Sequence, residues 1–277
     1  MILTTQSGWQ FDTDLGVDCS VGVHFDQRGT SCFGLPRPHA KPLYSTKSGS
    51  VVNCDLVTFC IHSAGTHTEW IGHLSKKRIS ITNVLPISLQ KALLLSITPT
   101  PIESTSEFYP CSKPGDLVVT RSALIAARNW LNFDGLHFTA LCIRTLPNGD
   151  DKKERSYSGR NAPYLSMESA ELIASDWNVQ HFLCDLPSVD KESSGDDVVI
   201  HRILWRMPMS GDVTPDNGAR STITELAYFH EVLPDGFYML DLQTTNLDSD
   251  ATLSRPVLFP IQQQVHRSGL DRTAPIV

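Results

Sequence analysis

Residues 53–74 read NCDLVTFCIHSAGTHTEWIGHL, and the rest of the chain is best read outward from them. His62, His67 and His73, the carboxylate Glu69 and the pair Gly65-Thr66 fall within twelve positions of a 277-residue chain that has ten histidines. Imidazole nitrogen and carboxylate oxygen together suit a borderline divalent ion such as zinc or manganese, and a catalytic site keeps one coordination position for water. Glycine beside such ligands lets the backbone turn sharply or approach closely, because it has no Cβ. One histidine alone would read as a polar loop residue with other partners. The cluster reads as a metal site.

Val51–Cys60 is β-branched and alternating, which predicts a strand that delivers His62–His73 at its end. Upstream, residues 1–50 are rich in Gly, Pro and Ser, and GLPRPHAKP at 34–42 predicts a proline-stiffened loop, so an irregular arm is expected there, wrapping a neighbour or bordering the site. Downstream, KALLLSIT at 91–98 predicts a buried strand, Asp116–Thr120 another, and SALIAARNWL at 122–131 a helix capped by Thr120 or Ser122. His137–Thr145 predicts a strand, NGDDKKER at 148–155 a solvated mixed-charge turn, and Ser166–Asp176 a capped helix. Val179–Asp185 predicts a buried strand that turns out at DLPSVD, residues 185–190, where Asp185 and Asp190 read as turn formers. A strand, helix, strand order implies parallel strands joined by a crossover. Phe237–Gln243 and Val257–Ile261 close the chain as strands. With no repeat or linker, residues 1–277 read as a single domain of mixed α/β class.

Gly65-Thr66-His67-Thr68-Glu69 followed by Gly72-His73 resembles the HxGTHxDxPxH signature of the cyclase-like metal-dependent hydrolases, the family of bacterial kynurenine formamidase and isatin hydrolase. It is closest to a branch reading GTHTExxGH. DLPSVD, His201-Arg202, Ile223-Thr224-Glu225-Leu226 and the turn around Asp250-Ala251 resemble later segments of the same family. The resemblance implies a swivelling β/β/α fold with a mixed sheet. It implies His67, Glu69, His201 and Glu225 as metal ligands and His73 as the proton-moving catalytic residue. The implied reaction is hydrolysis of a small amide, formamide or cyclic amide, with a divalent metal, Zn or Mn, as cofactor. Taken alone, His201 would read as a strand histidine and Glu225 as a helix-start carboxylate. The implied assembly is a homodimer or homotetramer.

Two departures stand out. Where the family has the first histidine of HxxxH, this chain has Ser63, with His62 one position earlier. In an extended segment adjacent side chains point to opposite faces, so proximity alone does not put His62 in that ligand's place, and His62 and Ser63 both stay candidates. The set His62, Ser63, His67 and Glu69 is then poorer in nitrogen and favours an oxygen-tolerant ion such as manganese. Second, Glu69 replaces aspartate, and Trp70-Ile71-Gly72 replaces the residues around the family's proline; Trp70 reads as core packing or as a pocket wall. Glu225 follows His201 by 24 positions, and the stretch between them, with Arg206, Pro208, Gly211, Pro215, Asn217 and Gly218, reads as an extended lid-like loop. Loss of the first ligand also admits a non-catalytic binding or regulatory relative, and the family label admits a polyketide-type cyclase.

A formal net charge of −7 argues against a nucleic-acid partner, which needs a basic face. Seven cysteines without a CxxC pair read as reduced thiols. The N-terminus lacks the pattern of a signal peptide, and no apolar run approaches the ~20 residues of a membrane span, so a cytoplasmic protein without a membrane partner is expected.

Overall fold

The computed structural model describes residues 1–5, 8–85, 89–131, 137–192, 198–212 and 220–262. In chain order its strands and helices are β1 (Ile2–Thr4), β2 (Gln10–Asp12), β3 (Val17–Asp18), β4 (His39–Tyr44), β5 (Cys54–Thr58), α1 (Ile61–Ala64), β6 (His67–Glu69), β7 (Gln90–Ile97), β8 (Thr100–Pro101), β9 (Leu117–Val119), α2 (Arg121–Trp130), β10 (Ala140–Thr145), β11 (Tyr164–Leu165), α3 (Met167–Glu171), β12 (His181–Cys184), α4 (Val199–Leu204), β13 (Thr222–Glu225), β14 (Gly236–Thr244) and β15 (Ala251–Gln262).

The main sheet is mixed and closes on itself. β7, β10, β12 and β13 run parallel. β13 then pairs antiparallel with β6, β6 with β15, β15 with β14, and β14 with β7. Closure removes the open edges that would otherwise invite pairing with another chain. The α/β class and the mixed sheet agree with the expectation from sequence.

The apolar run 90–97 is a strand because both of its faces are covered. Leu93, Leu95 and Ile97 pack with Leu124 of α2, Leu172 and Ile173 beyond α3, and Ile200 and Leu204 of α4. Ala92 and Leu94 face the other way, into a second cluster with Cys142, Leu183, Leu240 and Leu258. Thr120 caps α2 by accepting from the Ala123 N–H at 3.2 Å, and Ser166 caps α3 by accepting from the Ser169 N–H at 3.0 Å.

Several expectations need correction. The arm expected over residues 1–50 is irregular only in part, since β2 and β3 pair with β15 and β1 pairs with β2. The longest irregular stretch within residues 1–50 is 19–38, where Phe33 and Leu35 border the cavity beside the histidine cluster. The turn at 148–155 is only partly solvated. Lys152 is buried, and its ammonium donates to Thr145 O (2.5 Å), Thr145 Oγ1 (3.0 Å) and Asp185 Oδ2 (2.7 Å). Such a lysine is tolerated because its protons meet acceptors. Val199–Leu204 is a helix, so His201 is a helical residue, while Glu225 ends a strand. Pro215, Asn217 and Gly218 of the 201–225 connection, the stretch 193–197 and His266 lie outside the described residues. Among the described residues, no helix is long and apolar enough to cross a membrane.

Candidate metal centre

Antiparallel pairing of β6 with β13 places His67 directly opposite Glu225, and Glu69 opposite Ile223. Because side chains alternate along a strand, His67 and Glu69 share one face and Thr68 takes the other, where its hydroxyl meets that of Thr224 at 2.7 Å. Thr66 fixes the entry to this strand: its hydroxyl donates to Leu226 O at 2.6 Å and accepts from the Val21 N–H at 2.7 Å. Gly65 allows the approach, since a Cβ there would lie 2.6 Å from the Val21 carbonyl oxygen. The site thus forms where β12 and β13 end, the usual place for ligands in parallel sheets.

His67 is wholly buried. Its Nδ1–H donates to Gly65 O at 3.0 Å, which leaves the lone pair on Nε2. Among the described residues that Nε2 has no hydrogen-bond partner, and it lies 3.6 Å from Glu225 Oε2. Two electron-rich atoms facing each other in a buried site repel unless a cation lies between them. Glu225 Oε1 accepts from the Val189 N–H at 2.9 Å, so the carboxylate is also fixed.

His201 enters from α4. Its Nε2 meets Glu69 Oε1 at 2.7 Å and lies 3.6 Å from Glu225 Oε1, while its Nδ1 donates to Asp190 Oδ2 at 2.6 Å. Asp190 also accepts from the N–H groups of Ile200 (2.9 Å) and His201 (3.1 Å) and from the Tyr109 hydroxyl (2.9 Å). It therefore anchors the start of α4 as well as the imidazole. Nothing in the sequence around Asp190 marks this role, which exists only once α4 docks on the 185–190 turn.

His62, one of the candidate ligands, does reach the site, through a helical and not an extended local conformation. Residues 61–64 form a helical turn, where neighbours differ by about 100° rather than pointing to opposite faces. His62 Nδ1 lies 3.0 Å from Glu69 Oε2, and its Nε2 2.9 Å from Asp250 Oδ2. Ser63 is buried on the same turn, outside the cavity lining, with its carbonyl accepting from the Thr30 hydroxyl at 3.4 Å. His73 sits half-exposed at the mouth, its Nδ1 3.3 Å from Asp250 Oδ2. Trp70 is buried in the helix-side core and is not a cavity wall.

Electrostatics follow from the carboxylates of Glu69, Asp190, Glu225 and Asp250 set among the imidazoles of this cluster. Burial works against charge on Glu69, but the imidazoles of His73, His201 and His62 outweigh it and hold the carboxyl well below its usual range. Burial likewise opposes charge on His62, yet Asp250 and Glu69 push it up to about 10. His201 is raised well above the ordinary histidine range, because Glu69 and Asp190 overcome its desolvation. Hydrogen bonds from His62 and His73 hold Asp250 well below the usual carboxylate range. The centre demands positive charge.

Two donor groups have ligand atoms within 4.8 Å of one another: His67, Glu69 and Glu225, all buried, and His62, Glu69 and His73 nearer the mouth. They open into a cavity of about 260 Å³, whose lining adds Phe33, Leu35, Cys60, Ser188, Lys191 and Val198.

A family model described as "Putative cyclase" matches residues 13–191, more than half of the chain. The chain belongs to this cyclase family. No curated protein matches it. Among solved structures, the cyclase-family chain is similar to a "predicted metal-dependent hydrolase" from Bacillus stearothermophilus, with TM-score 0.58 and 14% identity over 88% of this chain and 97% of that one. It is similar to isatin hydrolase A from Labrenzia aggregata, with TM-score 0.60 and 12% identity over 88% and 93% of the two chains. Isatin hydrolase A from Ralstonia solanacearum gives TM-score 0.58 and 12% identity over 88% and 91%. At these identities the likeness establishes a shared fold. The matched span of the family model contains His62 to Asp190 and ends before His201 and Glu225, which folding brings to the same centre.

Proposed function

We propose that this cyclase-family chain is a metal-dependent hydrolase of the C–N bond in a small amide, formamide or cyclic amide. The observation that carries the reading is the buried, unpartnered Nε2 of His67 facing Glu225, with Glu69 and His201 beside it. The residues fit a divalent ion: His67, Glu69, Glu225 and His201 would hold it, two nitrogens with two carboxylates, a set suited to zinc or manganese. When bound, such an ion lowers the pKa of water and polarises a substrate carbonyl. The chain's own groups do the rest. Phe33, Leu35, Cys60 and Val198 give the cavity apolar surface for a ring-sized substrate, and His73 at the mouth takes a proton from water and returns it to the leaving nitrogen. Support for the substrate class comes from the neighbours named as isatin hydrolases, one of them bound to the product analogue thioisatinate. We also propose that chains assemble as a homodimer or homotetramer.

The test is metal analysis of the purified protein, followed by assays on an arylformamide, isatin and cyclic imides with added Mn²⁺ or Zn²⁺. Expected are about one or two ions per chain and metal-dependent turnover with addition of water to the product mass. His67→Ala should lose metal and activity together. Chelation should lower the melting temperature by several degrees, since an ion bound only by the folded state stabilises it by about 3 kcal/mol at a hundredfold excess over Kd. A protein that binds no ion and hydrolyses none of these amides would sink the reading.

A further inference from the structure

Asp250 looks from sequence like a simple turn residue, yet its carboxylate stands at the mouth of the cavity between two histidines. Its Oδ2 accepts from His62 Nε2 at 2.9 Å and from His73 Nδ1 at 3.3 Å, and these two rings lie 4.3 Å apart. Its Oδ1 accepts from the Ser249 hydroxyl at 3.0 Å. The backbone is pinned as well: the Trp70 N–H donates to Asp250 O at 3.1 Å, the Ile81 N–H donates to Ser249 O at 2.8 Å, and Ala251 pairs with Glu69. Gly72 permits the close approach of the turn carrying His73, because a Cβ there would lie 3.0 Å from Asp250 Cβ and would collide with the Ile79 carbonyl.

An ionised carboxylate only accepts hydrogen bonds, so the contact at 3.3 Å puts a proton on His73 Nδ1. On the neutral ring the lone pair is then on Nε2, the other nitrogen of a side chain that lines the cavity. We propose that Asp250 is a positioning residue that holds His73 as its Nδ1–H tautomer, leaving Nε2 to exchange protons with the reacting atoms. This rests on the hydrolase reading. In that reaction an O–H bond of water breaks and its proton goes to His73 Nε2. The oxygen joins the carbonyl carbon, the C–N bond breaks, and Nε2–H returns the proton to the departing nitrogen. No proton is gained or lost overall.

The experiment compares wild type, Asp250→Asn and Gly72→Ala as Zn²⁺-loaded protein carrying ¹⁵N-labelled histidine, with His73 assigned through His73→Gln. Expected is an Nδ1–H signature for His73 in wild type that shifts towards Nε2–H in both variants. On an amide that wild type hydrolyses, kcat of Asp250→Asn should fall about 100-fold while KM and bound zinc stay within about twofold. An Nε2–H tautomer in wild type, or an unchanged tautomer in folded Asp250→Asn, overturns the proposal. So does activity loss that follows loss of zinc. If wild type hydrolyses no amide, the hydrolase reading fails, and the tautomer measurement alone decides the role of Asp250.

Discussion

His201 owes its orientation to a residue eleven positions earlier. Asp190 accepts from the Nδ1–H of its ring and from two backbone N–H groups at the start of α4, so one carboxylate sets both the helix and the tautomer. Partners of this kind commonly change metal affinity by about 10- to 100-fold when removed. Asp190→Asn should therefore weaken metal binding by about that factor in a chelator competition, with far-ultraviolet circular dichroism unchanged. Neither Asp190 nor Asp250 was legible as a site residue, because their roles exist only once α4 docks on the 185–190 turn and β15 pairs with β6. By contrast His67, Glu69 and His73 declare themselves by spacing within one stretch. His201 and Glu225 were legible only through resemblance to a family, since each is unremarkable in its own surroundings. For His62 the signal was present, but its direction depended on a helical turn of four residues.

At the scale of elements, strands with continuous apolar runs and helices with polar caps were readable, as β7, β10, β12, α2 and α3 show. VIHRIL at 199–204 was not, because a short apolar run fits either a helix or a strand and only its packing decides. The 148–155 turn misled for a different reason: a lysine in a charged run looks solvated until its carboxylate partner, here Asp185, is located in space. Burial raises the Asp185 carboxyl, although Lys152 opposes the shift. Lys152→Met should cost about 3–5 kcal/mol in urea unfolding, since it strands a buried carboxylate. Adding Asp185→Leu should recover much of the loss, because a pair removed together leaves no lone charge. β12 supplies a separate pH dependence. His181 is buried with Nδ1 2.9 Å from Thr222 Oγ1, and desolvation lowers it to about 4 against an ordinary 6.5. Between those values the unfolded chain binds a proton that the folded chain does not, so the neutral ring's stability is complete above about pH 6.5 and declines as pH falls towards 4. The decline amounts to about 3 kcal/mol at most. Denaturant midpoints from pH 7.5 to 4.5 should show it in wild type and show a flatter course in His181→Gln.

For the whole molecule, the feature that the closed sheet leaves unexplained is the hairpin of β4 and β5. Among the described residues these strands pair only with each other, apart from the main sheet. Leu43, Tyr44, Leu56 and Val57 are exposed on it, and Val51 is 95% exposed at its tip beside Val52. A two-stranded hairpin is marginal in water by itself, and an exposed apolar group of this extent usually marks a contact surface. The hairpin also leads through Cys60 straight into α1, which carries His62. A second copy covering it would stiffen the approach to the metal centre as well as bury the apolar side chains. The expected outcome is a dimer or tetramer in sedimentation velocity at micromolar concentration. Leu43→Glu combined with Leu56→Glu should shift the protein towards monomer with its circular dichroism intact, because neither side chain supports the core. If hairpin contacts order α1, the monomer should also bind metal more weakly than the assembly, with the difference shrinking as protein concentration falls. A wild-type chain that sediments as a monomer at every concentration would remove the hairpin from the account of assembly and leave its apolar surface to a different partner.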